Sequence, residues 1–330
     1  MTVSLPPYLA PRGFTSGHVQ TVWASQVRRV PPVAYRREAI ALPDGDRLDV
    51  DWALASGAAG RLSGQPPRRV ALVAHGLEGS SSRTYVRGMV RALLRRGWDV
   101  AAWNLRGCGG APNGLLRAYH SGATEDLDAA VRHVLACGYA CVGLVGFSLG
   151  GNLTLKWVGD AGDRIDARVV GAVGISVPVD LAGSSAEMER FSRRLYMRRF
   201  LRSLVAKAEE KATRFPEAPS TAGMRRMRTF REFDGRFTAP VHGFASAEAY
   251  WAAASALPVL ARVAVPTLLV NALDDPFLSP SCYPTGVRSS ALAVLTPRHG
   301  GHVGFVAPSG EYWSETVAGL WLDAAVRAHS

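Results

Sequence analysis

Cysteine is scarce in this chain. Four residues, Cys108, Cys137, Cys141 and Cys282, are spread over 330 positions without a C-x-x-C pair, which excludes a disulfide-stapled scaffold and a zinc ribbon. Cys137 and Cys141 lie four apart but lead into an apolar run, so both read as buried free thiols suited to a reducing compartment. Neither a metal nor an organic cofactor is expected. Long apolar runs are missing too: the stretches 169–179 and 263–270 reach about half of the roughly 20 residues that a bilayer core demands. The opening MTVSLPPYLAPRGF has no charged segment followed by an apolar one, so no secretory leader is read there. A cytoplasmic location is expected, with peripheral contact at a membrane surface as a variant. Acidic residues are outnumbered, 27 against 38 Lys and Arg, for a net charge of +11. The excess is local: residues 190–231 hold thirteen basic and three acidic side chains, and the rest is near neutral. No nucleic-acid motif accompanies that charge, so nucleic acid is not an expected partner.

What the chain has is apolar residues enough, 48% of the total, for a large core without staples. Segments 36–42 and 47–53 flank Pro-Asp-Gly-Asp and read as a β-hairpin. The stretch 55–67 is small and Gly/Ser/Ala-rich, a flexible connection. Short apolar runs at 70–74 (β-branched), 100–103, 142–146, 169–175, 267–271 and 292–295 suit buried parallel strands. Amphipathic segments fall between or after them: 83–96, 124–137 with Thr124 as N-cap, 152–158 and 314–327. This alternation predicts an α/β fold, a mostly parallel doubly wound sheet with an N-terminal antiparallel hairpin. Residues 181–257 break the rhythm. They are basic and mostly helical by pattern, and read as a lid inserted over the carboxyl edge of a core made from 1–180 and 258–330.

The chemistry centres on Gly146-Phe147-Ser148-Leu149-Gly150-Gly151, which follows one strand and opens a helix. A serine on such a sharp turn needs small neighbours and presents its hydroxyl above the sheet. A hydroxyl is a poor nucleophile at neutral pH, so a base and an orienting acid must come from elsewhere. The loop after 267–271 offers Asp274 and Asp275, and the loop after 292–295 offers His299 and His302. Asp275, three residues past Ala272, is favoured as the acid, with Asp274 left as a turn or capping residue. His302, between glycine and Val303, is favoured over His299, whose neighbour Arg298 opposes an imidazolium. An oxyanion would be met by the backbone N–H groups of Leu77, in His75-Gly76-Leu77-Glu78-Gly79, and of Leu149. His75 reads as a loop-fixing residue. The run Gly107-Cys108-Gly109-Gly110 fails the G-x-G-x-x-G pattern because position 112 is Pro, and reads as a flexible wall of the site. His18 and Gln20 read as a structural N-terminal clamp, and His120 as a cap near the next helix.

Six segments in order, HGLEGSSSRTYVRG, NLRGCGG, YHSGATEDL, GFSLGGNLTLKW, NALDDPF and GGHVGF, together with Phe14 and the GHVQT run 17–21, closely resemble the AB-hydrolase-4 family of the α/β-hydrolase superfamily. That family holds bacterial YheT-like hydrolases and eukaryotic ABHD-type lipases and ethanol acyltransferases. The resemblance spans about residue 10 to the C-terminus. It implies an α/β-hydrolase fold and serine hydrolase activity on esters, with Ser148, Asp275 and His302 as the triad. The N-terminal membrane anchor of some eukaryotic members has no counterpart in this sequence, so their lipid substrates are not carried over. The expected function is cleavage of carboxylic acyl esters, a small-molecule ester substrate, through an acyl-enzyme. Acyl transfer to a small alcohol by the same triad is the alternative, and a catalytically silent binding module of the same fold is the rival from another class. The basic segment is expected to be a lid helix with solvated arginines, or else a docking face for an anionic lipid surface or an acidic partner.

Overall fold

The computed structural model describes residues 3–55 and 68–329. Most of the stretch read as a flexible connection, 56–67, therefore lies outside the described residues. Eight strands form one sheet: β1 (Arg36–Ala41), β2 (Arg47–Ala53), β3 (Arg69–Ala74), β4 (Asp99–Asn104), β5 (Cys141–Phe147), β6 (Val169–Ile175), β7 (Thr267–Val270) and β8 (Leu292–Leu295). Their spatial order is β1-β2-β4-β3-β5-β6-β7-β8. The pairs β1–β2 and β2–β4 are antiparallel and all others are parallel. Both the hairpin and the parallel sheet are thus as the alternation of apolar runs requires.

The helices that matter to the site are α1 (Gly17–Val22), α2 (Thr84–Arg95), α3 (Thr124–Ala136), α4 (Leu149–Ala161), α5 (Leu181–Met188) and α6 (Arg194–Arg214). A closing helix spans Trp313–His329. Side chains alternate across each strand, so one sheet buries two cores. On β3, Val70 and Leu72 pack toward α3 and α4, whereas Ala71 and Val73 face α2 and the closing helix. Apolar area removed from water on both faces, at about 25 cal/mol per Å², dominates the stabilisation of such a layer structure.

Two local expectations need correcting. Thr124 is the first residue inside α3, not its cap; Ala123 occupies that place without a side-chain bond, and Glu125 and Asp126 carry the favourable charge of the first turn. Cys137 is exposed, unlike Cys108, Cys141 and Cys282, because it falls just past the end of α3.

Residues between β6 and β7 are largely helical, with α5, α6 and a helix at Ala247–Ala254 as the main elements. They have an apolar cluster of their own, built on Met197, Leu201, Val205, Phe233 and Phe237, which takes in Phe277 from the loop after β7. Among the described residues, no helix is long and apolar enough to cross a membrane.

Candidate active site

The strand order reverses beside β3 and β5, so the loops at their carboxyl ends part there and leave a crevice. Ser148 sits in it, between the last residue of β5 and the first of α4, with φ 50° and ψ −117°. A non-glycine residue in this region costs on the order of 1–3 kcal/mol and persists only when its surroundings hold it. Here the Ser148 N–H donates to the Ile175 carbonyl at 2.9 Å, and the Ser148 carbonyl accepts from Asn152 N–H at 2.9 Å. Close approach fixes the residue two positions on: a Cβ on Gly150 would collide with the carbonyls of His75 and Ala74. Asn152 is wholly buried. Its amide donates to the Ser121 and Ala254 carbonyls, and its oxygen accepts from Ala256 N–H. The helix behind the serine is thereby tied to the far end of the inserted helices.

The loops after β7 and β8 bring Asp275 and His302 together. Nδ1 of His302 lies 2.9 Å from Oδ2 and 3.1 Å from Oδ1 of Asp275. The carboxylate is fully enclosed, and the imidazole is nearly so. Phe277 N–H donates to Asp275 Oδ1 at 2.9 Å, and the Phe277 ring packs against the imidazole with centroids 4.3 Å apart. A carboxylate facing Nδ1 holds the proton on that nitrogen and leaves Nε2 as an acceptor. Asp274 turns the other way. It accepts from Gly301 N–H at 2.8 Å and lies 3.3 Å from Nδ1 of His299. Burial raises its carboxyl above the usual range, against the pull of Gly301 and His299. It is a tie between the two loops, not a helix cap.

His302 is held from the N-terminal side as well. Its N–H donates to the Thr21 hydroxyl at 2.8 Å, and that hydroxyl donates to the Gly17 carbonyl. Gly17 permits the contact, because a Cβ there would strike the Asp274 carbonyl. Gln20, wholly buried, accepts from Tyr8 and from Val306 N–H and donates to the Phe14 carbonyl. His18 stacks on Tyr196 of α6 with Nδ1 3.2 Å from its hydroxyl. The residues 17–21 are therefore the clamp that the sequence suggests, and their load is the His302 loop. From the sheet, Ser176 accepts from Val303 N–H at 2.9 Å.

His75 is wholly buried at the end of β3. Its Nε2 accepts from Leu105 N–H at 3.1 Å, so the proton sits on Nδ1 and is donated to the Gly76 carbonyl at 2.8 Å. Burial pushes its pKa down to about 4. It fixes the loop as a neutral ring. The next residues turn sharply, with Glu78 at φ 53°. Glu78 reaches up to α6, where its carboxylate accepts from Lys207 at 2.9 Å and from Ser203, and sideways to Tyr119 at 2.5 Å. Burial alone would raise this carboxyl, but Lys207, Ser203 and Tyr119 hold it below the usual range. One helical turn further, buried Lys211 donates to Asn113 Oδ1 at 2.7 Å and to the Leu115 carbonyl. A polar stripe on α6, spaced by four residues, is thus seated on two loops: Ser203 and Lys207 on the one that carries Leu77, and Lys211 on residues 113–115.

Ser148, His302, Leu77 and Leu149 all line one cavity of ≈ 550 Å³, and Asp275 stands behind His302. The N–H of Leu149 belongs to the first turn of α4, where no intrahelical carbonyl is available to it. Gly107, Cys108 and Gly110 form part of the wall, and burial raises the Cys108 thiol to about 11. His120 is wall too: its Nδ1 accepts from Gly122 N–H just before α3, and its ring lies 4.4 Å from that of His242. Leu181, Met188, Phe200, Leu204, Phe233 and Phe237 give the cavity an apolar end. Sequence reasoning missed Thr21, Ser176, Asn152 and Glu78. The i+4 spacing of Ser203 and Lys207 is the one sequence signal for Glu78's partners on α6.

Residues 72–306 match the family described as alpha/beta hydrolase fold. The chain is 36% identical to YheT of Escherichia coli (strain K12), an esterase by inference, over 98% of this chain and 95% of that protein. It is 30% identical to the phospholipase ABHD3 of Mus musculus, over 87% of this chain and 70% of that one. Among solved structures, the Pyrococcus furiosus esterase Pf2001 superposes with a TM-score of 0.57 at 15% identity, covering 97% of this chain and 99% of that one, a likeness of fold. The chain belongs to the α/β hydrolase family and, within it, to the esterase- and lipase-type AB-hydrolase-4 group.

Proposed function

We propose that this protein cleaves carboxylic esters through an acyl-enzyme, with Ser148 as nucleophile, His302 as base and Asp275 as the orienting acid. The observation that carries this reading is the enclosed Asp275–His302 pair, whose imidazole opens onto the same cavity as a serine held in a strained strand-to-helix turn. As the Ser148 oxygen attacks the ester carbonyl, its proton passes to Nε2 of His302. Asp275 keeps the other ring nitrogen protonated and stabilises the imidazolium that forms. The carbonyl oxygen becomes an oxyanion that accepts from the N–H groups of Leu77 and Leu149. His302 returns its proton to the departing alcohol as the C–O bond breaks. Water, deprotonated by His302, then attacks the acyl-enzyme, and Ser148 recovers its proton as the acid leaves. A small alcohol in place of water gives ester exchange by the same steps.

Residues 181–257 act in this reading as a lid over a core formed by 1–180 and 258–330. The apolar end of the cavity takes the acyl chain, and the seating of α6 on Glu78 keeps the Leu77 loop in register with the serine. The test is a panel of p-nitrophenyl esters of graded chain length. Wild-type protein should turn over acyl chains long enough to reach Phe233 and Phe237 with the highest kcat/KM, and Ser148→Ala should lower turnover by about 10⁴-fold or more. Wild-type rates in Ser148→Ala would overturn the assignment.

A further inference from the structure

The outer face of α6 and the turn before it are at odds with what a folded chain needs of itself. Phe191 is 80% exposed and Leu195 81%, fully projecting side chains on a segment whose other apolar residues, Met197, Leu201 and Val205, are buried. Around them on the same outward face lie Arg194, Arg198, Arg199 and Arg202, all exposed. Nearby arginines have carboxylate partners: Arg190 and Arg193 on Glu187, Arg214 on Glu210, Arg225 on Glu209. Among the described residues, no carboxylate lies within salt-bridge distance of these four; Arg194 rests instead over the Phe191 ring at 4.7 Å.

Their place on the helix makes the arrangement more telling. They cluster in the N-terminal half of α6, whose first turn has no acidic residue and whose cap, Arg193, makes no side-chain bond to the helix. Cations there oppose the helix dipole, so helix stability does not account for them. An anion supplied from outside would. The apolar tips then decide which anionic surface. Isolated projecting side chains among cations have no pocket of their own to fill, but they can enter a lipid interface while the guanidinium groups meet phosphates.

We propose that this face docks on an anionic lipid bilayer, with Phe191 and Leu195 entering the interface and Arg194, Arg198, Arg199 and Arg202 meeting lipid phosphates. The docked face is the back of the helix whose Phe200, Ser203, Leu204 and Lys207 line the cavity. Its first turns touch the elements that carry the site, through Tyr196 on His18 and through Arg193 Nε donating to the Pro276 carbonyl. Val19 and Leu273, on those two elements, are exposed as well. A bilayer bound there would hold apolar esters beside the lid. The inference goes beyond ester cleavage, and binding is read without turnover, so either can fail alone.

The experiment is co-sedimentation of the full chain with phosphatidylcholine vesicles and with vesicles of phosphatidylcholine and phosphatidylglycerol, at low and high salt. Retention is expected only on the anionic vesicles, and high salt should release the protein. Phe191→Ser with Leu195→Ser should weaken binding about tenfold or more, and Arg198→Gln with Arg199→Gln about fivefold for each charge removed. Both variants should turn over a short soluble ester at the wild-type rate, which also reports that they fold; Leu195→Ser alone serves if the pair does not. Absence of retention on anionic vesicles at low salt, equal retention on neutral ones, or wild-type affinity in the apolar variant would overturn the proposal. The last result would leave plain charge attraction, as for an acidic protein partner.

Discussion

Two carboxylate–imidazole pairs bridge the loops after β7 and β8, built from acids one position apart and bases three positions apart. In one, Asp275 is fully enclosed and faces His302 at 2.9 Å, and the ring looks into the cavity. In the other, Asp274 and His299 are partly exposed, 3.3 Å apart, and outside that cavity. Asp274 lies inside the turn that Asp275 N–H closes on the Ala272 carbonyl, and Asp275 stands at its end, so neighbours of one chemical type divide between site and scaffold. Enclosure then separates them further. Among the described residues the inner carboxylate is met by the imidazole and Phe277 N–H, whereas the outer one holds Gly301 N–H and is partly exposed. The pair that is tighter and drier is the one suited to stabilising an imidazolium; the looser pair braces the loop that presents it.

The largest way to break this comparison is Asp275→Asn. The amide keeps the packing but cannot hold the same tautomer, and kcat on a soluble ester should fall by about 10⁴-fold with little change in KM. A loss of only a few-fold would remove Asp275 from its role.

A third imidazole sharpens the contrast, because the His75 ring is hydrogen-bonded to backbone groups, the Gly76 carbonyl and Leu105 N–H, and not to a carboxylate. Its folded pKa is about 4 against 6.5 in the unfolded chain. Between those values the unfolded state binds a proton that the folded state does not. The neutral ring's stability is therefore fully present above about pH 6.5 and is lost as pH falls toward 4, by on the order of 3 kcal/mol. Urea denaturation at several pH values should show this slope, and His75→Gln should flatten it. An unchanged slope in the variant would assign the acid sensitivity elsewhere.

Thr21→Val tests the bracing from the N-terminal side. The buried His302 N–H would lose its acceptor, at a cost of about 1–3 kcal/mol, seen as a lower denaturation midpoint and a reduced kcat. The smallest effect belongs to Asp274→Asn, which can still accept from Gly301 N–H: kcat should change by only a few-fold. If it matched Asp275→Asn, the distinction between the two pairs would collapse.

Much of this was legible in the sequence because it is local. Short apolar runs alternating with amphipathic segments implied the parallel sheet, and a glycine-flanked serine between strand and helix implied its turn. Asp275 and His302, the residues favoured in the sequence, face each other at 2.9 Å, which supports the roles proposed for them. What escaped notice depends on contacts between distant parts of the chain. Thr21 meets His302 across 281 positions, and Ser176 meets Val303 across 127; no periodicity records either. Glu78 looked like one loop residue among several until α6 was seated on it. Thr124 misled for a different reason: helix entry shifts by one residue easily, and Ala123 sufficed where acids in the first turn already favoured the helix.

The most direct test of the central claim is site-mapped mass spectrometry after reaction with a fluorophosphonate. The account predicts a single adduct on Ser148, formed quickly in the wild type and suppressed in His302→Ala and in Asp275→Asn. An unmodified Ser148 in folded wild-type protein, or an equal rate of labelling in all three, would contradict it.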